Sequence, residues 1–303
     1  MYPAGALRLH APGYHADLGR GLDRALCGLS GRRTKLRTKT KERAMKRALV
    51  TGAGHRLGQA MAVYLAKRGY DVAVHYASSD KGALETVVQI EAEGQRGVAL
   101  HADLLDEDAT GALFGRAVEA LGGPITCLVN NASIFEYDDI ASATRDSWDR
   151  HMDSNLRAPF VLTQAMAAQG LEPTRDDMDE PVAAGLILNM VDQRVRKLTP
   201  EFMTYTLAKM GLWALTQTSA RALAPVIRVN AIGPGPTLQG GRQSAEHFAK
   251  QRAATVLERG SNPSDIVAAL GYFLDSPAIS GQLLCVDGGQ HLAWETPDVV
   301  GVE

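Results

Sequence analysis

The chain has 303 residues, of which 45% are hydrophobic and 22% are charged, as is ordinary for a folded globular protein. Its three cysteines, Cys27, Cys127 and Cys285, lie in no disulfide or zinc-binding spacing, so neither a disulfide framework nor a metal site is expected. No apolar run approaches the roughly 18–20 residues that span a bilayer, so the composition argues against a membrane protein.

Charge is distributed unevenly along the chain. Residues 1–46 carry 11 basic against 3 acidic residues, whereas the other 257 carry 21 against 31. We predict that residues 1–45 are a disordered basic extension, since they cannot bury enough apolar surface to fold. A targeting or tethering role and an upstream translated extension, with Met45 as the natural start, are the alternatives. The acidic remainder is not expected to bind nucleic acid.

From residue 47 onward, short β-like runs alternate with longer helical patterns. The predicted strands are RALVTGAG (47–54), DVAVHYAS (71–78), GVALHADL (97–104), ITCLVNNAS (125–133), AGLILNMVD (184–192), IRVNAIGPG (227–235) and QLLCVDGG (282–289). The predicted helices are 57–69, 82–94, 109–123, Trp148–Ala168, Met203–Leu223 and Asp265–Leu274.

This alternation predicts an α/β protein with a doubly wound, parallel, seven-stranded sheet in one domain, the dinucleotide-binding (Rossmann) architecture. Two segments interrupt the pattern. Leu171–Ala184 is rich in acids and is interpreted as an exposed loop, and Pro236–Pro263 as a mobile lid that contains an amphipathic helix. We expect the domain to span 46–293, with a C-terminal tail at 294–303 and a reducing, cytoplasmic location.

The first strand is followed by TGAGHRLG at 51–58, which opens a helix. Glycines in this position let the backbone turn tightly and approach a pyrophosphate at the positive end of the helix. An NAD enzyme commonly has an acid at the tip of the second strand, but this tip is HYASS (75–79) and no acid precedes Asp80. A carboxylate would repel a 2′-phosphate, whereas hydroxyls and a nearby His or Arg can donate to one, so we expect NADPH (NADP).

Tyr205 and Lys209 stand four residues apart on a predicted helix, so their side chains project from one face. An ammonium beside a phenol stabilises the phenolate and would lower the tyrosine pKa from about 10 toward working pH. This pair predicts a proton donor for a hydride-transfer reaction.

Together these motifs resemble the short-chain dehydrogenase/reductase superfamily from about Arg47 to Leu292. The resemblance is carried by TGAGHRLG, Asp103-Leu104, NNAS (130–133), Asn155, YTLAK (205–209), Pro234-Gly235 and VDGG (286–289). Within the superfamily the chain is similar to the pteridine and dihydromonapterin reductases. The features they share are Arg56 in the turn, Phe135 after NNAS, and Asp192, thirteen residues before Tyr205, where most members have serine.

The resemblance implies a role for each matching residue. Asp192, Tyr205, Lys209 and Asn155 would be catalytic, with Asn155 anchoring Lys209 through backbone and water contacts. Phe135 would stack on a flat heterocycle, and Arg56, Ser133, Asp192 and Tyr205 would also contact substrate. The cofactor would be held by Gly52, His55, Arg56, Leu57, Gly58, Tyr76, Ser78, Ser79, Asp103, Leu104, Asn131, Ala132, Ser133, Lys209, Pro234, Gly235 and Thr237. His55 and Ser78 depart from the Lys and Arg that pteridine reductases often carry there.

These observations favour an NADPH-dependent reductase of a C=N bond in a pteridine or folate-like small molecule. A carboxyl group at 192 suits imine reduction, because a proton must be placed on nitrogen. The alternatives are a reductase of a ketone, such as a 3-oxoacyl or sugar-like carbonyl, and a dinucleotide-sensing protein without turnover. In simpler structural readings, Asp192 only caps a loop and Phe135 belongs to the core. The family resemblance also implies a homotetramer.

Overall fold

The computed structural model describes residues 46–240 and 243–295. Within these ranges, seven strands form one parallel sheet, and two very short strands form a separate antiparallel hairpin. The strands are β1 (Lys46–Val50), β2 (Tyr70–Tyr76), β3 (Gly97–His101), β4 (Cys127–Asn130), β5 (Thr174–Arg175), β6 (Pro181–Val182), β7 (Gly185–Met190), β8 (Ile227–Pro234) and β9 (Leu283–Val286). The hairpin consists of β5 and β6.

Eight α-helices connect or flank these strands in the described part of the chain. They are α1 (Arg56–Lys67), α2 (Asp80–Ala92), α3 (Glu107–Leu121), α4 (Arg145–Met152), α5 (Ala158–Ala167), α6 (Met203–Ala222), α7 (Ala245–Ala253) and α8 (Pro263–Asp275). The helices α1, α2 and α8 pack on one face of the sheet, and α3, α5 and α6 pack on the other.

The strand order is β3-β2-β1-β4-β7-β8-β9, so the chain winds outward in both directions from β1. The predicted doubly wound parallel sheet of seven strands is therefore confirmed. Its winding direction reverses between β1 and β4, and a crevice opens there at the carboxyl ends of the strands. Every loop that the sequence assigns to the site leaves the sheet at this edge, because parallel strands all end on the same side.

Alternate residues of the central strands supply two separate apolar cores. Val50 and Val129 face the core with α1 and α8, whereas Leu49 and Leu128 face the core with α3 and α5, and all four are fully buried. Strands that are covered on both faces carry near-continuous apolar runs, which is why these segments could be recognised in the sequence.

One predicted helix and one predicted loop differ in part from the structure. The predicted helix Trp148–Ala168 is interrupted by a π-helical turn at Asp153–Arg157, which contains Asn155. The acidic segment Leu171–Ala184 is exposed, but it contains the β5–β6 hairpin. The Asp176 carboxylate closes that hairpin by accepting from the backbone N–H groups of Met178 and Glu180, both at 2.9 Å.

Several sequence predictions lie wholly or partly outside the described residues. The basic extension at 1–45 with Cys27, and most of the tail at 294–303, belong to this group. Within the described ranges, Cys127 and Cys285 are free thiols, and none of the helices combines the length and apolarity required to cross a membrane. The cytoplasmic location stays a prediction.

The glycine turn between β1 and α1 is packed too closely to accept side chains. Gly52 has a φ of +61°, and a Cβ there would lie 2.9 Å from the Ala132 Cα. A Cβ on Gly58 would lie 2.2 Å from the carbonyl oxygen of Gly52. Bare backbone is therefore presented to the crevice at the start of α1, as a pyrophosphate site requires.

This packing predicts opposite effects of two glycine-to-alanine substitutions. Gly58→Ala should lower the free energy of unfolding by about 1–3 kcal/mol, since backbone must move to admit the methyl group. Gly115→Ala is the matched control, because a Cβ on this exposed residue of α3 meets nothing within 4 Å. It should raise that free energy by about 0.5–1 kcal/mol. Urea unfolding of both variants measures the difference, and a Gly58→Ala protein as stable as wild type would refute the close-packing argument.

Candidate active site

A cavity of about 610 Å³ occupies the crevice at the carboxyl edge of the sheet. Every residue predicted for cofactor, substrate or proton transfer lines it, except Asn155. Its wall also includes residues that the sequence analysis did not select, among them His75, Gln193, Arg194, Phe248 and Gln251.

One end of the cavity is formed by the glycine turn and the loop after β4, which are hydrogen-bonded to each other. The buried Thr51 hydroxyl oxygen accepts from the N–H groups of Asn131 and Ala132, both at 2.9 Å. The Asn131 side-chain amide donates to the carbonyls of Thr51 at 2.8 Å and Gly52 at 3.1 Å. Asn131 thus holds the glycine turn in place from the position at which a nicotinamide ribose is expected.

His75 joins two of the loops that border the cavity. Its Nδ1 accepts from the Gly52 N–H at 3.1 Å, and its Nε2 donates to the Ala102 carbonyl at 3.0 Å. Burial lowers the pKa of His75 to about 4, so the ring is neutral at physiological pH. From the sequence, a histidine near the tip of β2 could have donated to a 2′-phosphate. His75 is not that donor, because both of its ring nitrogens have backbone partners.

The tip of β2 carries the side chains expected to distinguish the two nicotinamide cofactors. Tyr76, Ser78 and Ser79 line the cavity, and the Ser79 hydroxyl lies 3.2 Å from Nδ1 of His55. Asp103, after β3, also lines the cavity, and its carboxylate accepts a hydrogen bond from the Leu105 N–H at 3.0 Å. This Asp103 turn presents Leu104 beside the expected adenine position.

Tyr205 and Asp192 form a direct pair within the cavity wall. The Tyr205 hydroxyl donates to Oδ2 of Asp192 at 2.8 Å, while Oδ1 accepts from the Arg194 N–H at 2.8 Å. Asp192 therefore caps the turn after β7 and also binds the phenol, and its catalytic role stays a prediction.

The sequence analysis expected a lowered pKa for Tyr205, and this direction was wrong. Burial, followed by the charge of Asp192 and its hydrogen bond, raises the pKa of Tyr205 well above the usual value. Burial also raises the pKa of Asp192. The phenol thus retains its proton, and it lies directly beside a carboxyl group whose pKa is also raised.

Lys209 lies below the phenol and is almost completely buried. Its Nζ donates to the Met190 carbonyl at 2.7 Å and lies 5.6 Å from the centroid of the Tyr205 ring. Burial lowers the pKa of Lys209 to about 8, although the charge of Asp192 opposes this shift. The ammonium is therefore held at the cavity wall by the end of β7.

Asn155 contacts the loop after β4, not Lys209, through its side chain. Its amide donates to the Ile134 carbonyl and its Oδ1 accepts from the Ile134 N–H, both at 2.8 Å. The π-helical turn places this fully buried side chain against the loop. Asn155 thus anchors the segment that carries Ser133 and Phe135. Its support of Lys209 through backbone and water contacts stays a prediction.

Phe135 is about half exposed, so the interpretation as a core residue is wrong. One face of its ring stacks on Phe202, with centroids 4.3 Å apart and an interplanar angle of 8°. The Tyr205 ring meets it edge-on at 4.7 Å. The Arg194 guanidinium lies 5.0 Å from the centroid of Phe202. Phe135 is therefore a supported aromatic surface beside the Tyr205 ring.

The segment after β8 covers the phosphate end of the cavity. Arg56 donates to the carbonyls of Gln239 at 2.8 Å and Leu238 at 3.1 Å, so its guanidinium binds this segment. The Thr237 hydroxyl donates to the Gly235 carbonyl at 3.1 Å. Direct phosphate contacts of Arg56 and Thr237 stay predictions.

The covering segment is closed on itself by Arg252 of α7. This guanidinium donates to the carbonyls of Pro236 at 2.8 Å and Ser261 at 2.6 Å, and of Gly260 at 3.2 Å. Both ends of the segment that the sequence analysis described as a lid are thereby joined.

Sequence reasoning missed the residues that support the site from behind. Thr51, His75 and Phe202 hold the glycine turn, the adenine-side loop and Phe135 respectively. Each lies next to a recognised motif, and that proximity was the available signal. Their partners are distant in sequence, so the pairing itself could not be foreseen.

Known proteins share both the sequence and the architecture of this chain. A family model described as Enoyl-(Acyl carrier protein) reductase matches residues 52–291. FolM Alternative dihydrofolate reductase 1 from Brucella suis, solved in complex with NADP, is 40% identical in sequence and has a TM-score of 0.77. The match covers 84% of this chain and 98% of that one.

Two further relatives are enzymes with other names. The 3-oxoacyl-[acyl-carrier-protein] reductase FabG of Staphylococcus aureus is 31% identical over 252 residues, or 82% of this chain and 98% of the relative. The 3beta-hydroxysteroid dehydrogenase 1 of Eggerthella lenta is 32% identical over 256 residues, or 82% and 94%. With its parallel sheet, glycine turn and buried Tyr205 and Lys209, the chain belongs to the short-chain dehydrogenase/reductase family.

Proposed function

We propose that this protein is an NADPH-dependent reductase that acts on the C=N bond of a pteridine or folate-like substrate. The observation that carries the proposal is the 2.8 Å hydrogen bond from Tyr205 to Asp192, in the wall of a dinucleotide-sized crevice. The 40% identity to FolM Alternative dihydrofolate reductase 1 in complex with NADP supports the same choice of cofactor and substrate class.

The residues of the crevice fit NADPH, which supplies hydride when bound. The glycine turn leaves room for a pyrophosphate, because Cβ atoms at Gly52 and Gly58 would collide with backbone. Around the tip of β2, Ser78, Ser79 and His55 offer neutral or donating groups, and no carboxylate on that tip repels a 2′-phosphate. Lys209 would donate to the ribose hydroxyls, since its ammonium reaches the cavity wall.

Tyr205 would place a proton on the substrate nitrogen as the carbon accepts hydride. Its raised pKa keeps the proton on the phenol until a better acceptor arrives. A proton taken up from solvent by Asp192, whose pKa is also raised, would then pass to the phenolate beside it and restore the tyrosine. Ser133, which also lines the cavity, would contact the polar edge of the substrate or the cofactor phosphates.

The flat part of the substrate would lie against the open side of Phe135. Phe202 backs this ring at 4.3 Å and keeps it from turning away, and the Asp192 carboxyl could also accept from an amino group on the heterocycle. Arg56, at the junction of the glycine turn and the covering segment, would contact the polar edge of the substrate or the phosphates.

Ketone reduction is the second candidate, because the 3-oxoacyl-[acyl-carrier-protein] reductase of Staphylococcus aureus is 31% identical over 82% of this chain. A developing alkoxide requires only a neutral donor, so a carboxyl group at 192 is less suited to it. A sensor without turnover would have no use for the Tyr205–Asp192 pair, and we therefore rank it last.

We further propose that the protein assembles as a homotetramer. Four large apolar side chains on α4, α5 and α6 are between 37% and 43% exposed, namely Trp148, Phe160, Leu207 and Met210. Exposed apolar residues grouped on neighbouring helices are typical of an association surface.

The substrate class can be tested by the oxidation of NADPH with dihydrobiopterin, dihydrofolate and an acetoacetyl ester in parallel. We expect turnover with one or both pteridines and little with the ester. Asp192→Ser should reduce kcat/KM on the pteridine by about 10²–10⁴-fold, since the proton relay is lost, and should affect a ketone less. Turnover with the ester alone would favour ketone reduction, and turnover with none of the three would favour the sensor.

The lowered pKa of Lys209 predicts how NADPH affinity varies with pH. The lysine is protonated below about pH 8 and loses its charge above that value. The Kd for NADPH, measured by fluorescence quenching, should therefore be constant just below pH ~8 and rise by up to about tenfold per pH unit above it. Lys209→Met should bind more weakly at every pH and lose this alkaline rise. Lys67→Met, at the exposed end of α1, is the control and should retain it.

The assembly can be tested by sedimentation equilibrium. Wild type should sediment as a tetramer, and Phe160→Glu should dissociate it, because an unpaired charge would be buried at the contact. Leu84→Glu serves as the control, since Leu84 is 60% exposed on α2, away from these helices. A monomeric wild-type protein, or equal dissociation by both variants, would contradict the proposed surface.

A further inference from the structure

A buried polar network lies directly behind Tyr205 and outside the cavity. It consists of Asp138 in the loop after β4, His151 on α4 and Thr204 on α6. None of the three is more than 2% exposed, and none lines the cavity. Neither the family motifs nor the proposed chemistry assigns these residues a role.

Asp138 caps the helix that carries the proton donor. The residue before α6, Phe202, has a φ of +56°, and its side chain offers no capping group. Instead the Asp138 carbonyl accepts from the Met203 N–H at 3.3 Å, and its Oδ1 accepts from the Thr204 N–H at 3.1 Å. A carboxylate at this helix end is also favoured by the helix dipole. The first turn of α6 is thus held by a residue 66 positions away.

The hydrogen bonds of the network define the position of every proton. The Thr204 hydroxyl donates to Oδ2 of Asp138, so its oxygen must accept from Nδ1 of His151 at 2.7 Å. Nε2 of His151 then accepts from the Glu136 N–H at 3.1 Å. His151 is therefore a single neutral tautomer.

The charges that this arrangement requires agree with the environment. Burial lowers the pKa of His151, which favours the neutral ring. Burial acts to raise the pKa of Asp138, but the hydrogen bonds from the Thr204 hydroxyl and N–H outweigh it and keep the pKa low. Asp138 is thus an ionised cap.

The network also contacts the ring of the proton donor. The His151 ring meets the Tyr205 ring at a centroid distance of 6.0 Å and an interplanar angle of 74°. Phe135 meets it at 4.7 Å and 75°. Thr204 immediately precedes Tyr205, so the network constrains both the backbone and the ring of the proton donor.

We propose that Asp138, Thr204 and His151 act as a positioning unit that holds the Tyr205 phenol at hydrogen-bonding distance from Asp192. The unit sets the rate of proton transfer without touching substrate or nucleotide. The proposal rests on Tyr205 as the proton donor. Small displacements of a reacting group are costly, since about 1 Å of misplacement can reduce a rate by about 10²-fold.

The central test compares two threonines of the same helix. Thr204→Val removes the hydroxyl that joins Asp138 to His151. Thr206→Val is the matched control, because the Thr206 hydroxyl is buried and has no hydrogen-bond partner in the described part of the chain. With NADPH and the pteridine substrate, Thr204→Val should lower kcat by about tenfold to a hundredfold. The Kd for NADPH should change by less than about twofold, and Thr206→Val should resemble wild type.

Two further variants separate positioning from general support of the fold. Thr204→Ser restores the hydroxyl and should recover most of kcat. His151→Asn keeps an N–H group directed at Thr204 but loses the acceptor for the Glu136 N–H, so its kcat should be intermediate. Hydrogen exchange of residues 203–209 should accelerate in Thr204→Val and not in Thr206→Val, which requires no substrate.

The outcomes distinguish this proposal from the proposed function. Equal kcat values for Thr204→Val and Thr206→Val would overturn the positioning role, as would a loss of NADPH affinity in proportion to kcat. If Thr204→Val fails to fold, the Ser and Asn variants decide by the same criteria. Near-normal turnover of Tyr205→Phe would instead remove Tyr205 as donor, and with it the basis of the positioning unit.

Discussion

The hydrogen bond between the Tyr205 hydroxyl and Oδ2 of Asp192 is the contact on which the rest of the site depends. It joins the first turn of α6 to the carboxyl end of β7, where Tyr205 is buried and Asp192 is half-buried. Polar groups shielded from water in this way are costly without a partner, so the two stabilise one another. The supporting contacts described above, from Lys209 to His151, act by keeping these two segments together.

The architecture could be read from the sequence because a parallel sheet covered on both faces leaves clear signs. Its strands are short, almost wholly apolar runs, and each helix between them has one apolar face. The glycine turn at 51–58 and the four-residue spacing of Tyr205 and Lys209 located the crevice for similar local reasons. A single extra residue in a helical turn leaves no periodic sign, so the π-helical turn that contains Asn155 could not be predicted.

The electrostatics of the site could not be derived from residue types alone. An adjacent lysine suggests a more acidic phenol, but burial and the Asp192 charge dominate and raise the pKa of Tyr205. His75 and His151 look like ordinary polar positions in the sequence, yet both are buried, neutral rings with backbone or hydroxyl partners on each nitrogen. Such states depend on contacts between segments that are distant along the chain.

The guanidinium of Arg252 has a consequence for how the crevice could open. Because it donates to the carbonyls of Pro236, Gly260 and Ser261, it holds the two ends of the covering segment together. Joined ends of this kind are typical of compact surface loops, so we expect the two stems to move together. Arg56 of the glycine turn donates two hydrogen bonds to this segment, at Leu238 and Gln239. These bonds must break before the segment can move away from the turn. We therefore expect a single arginine, Arg56, to control the opening of the crevice at this end.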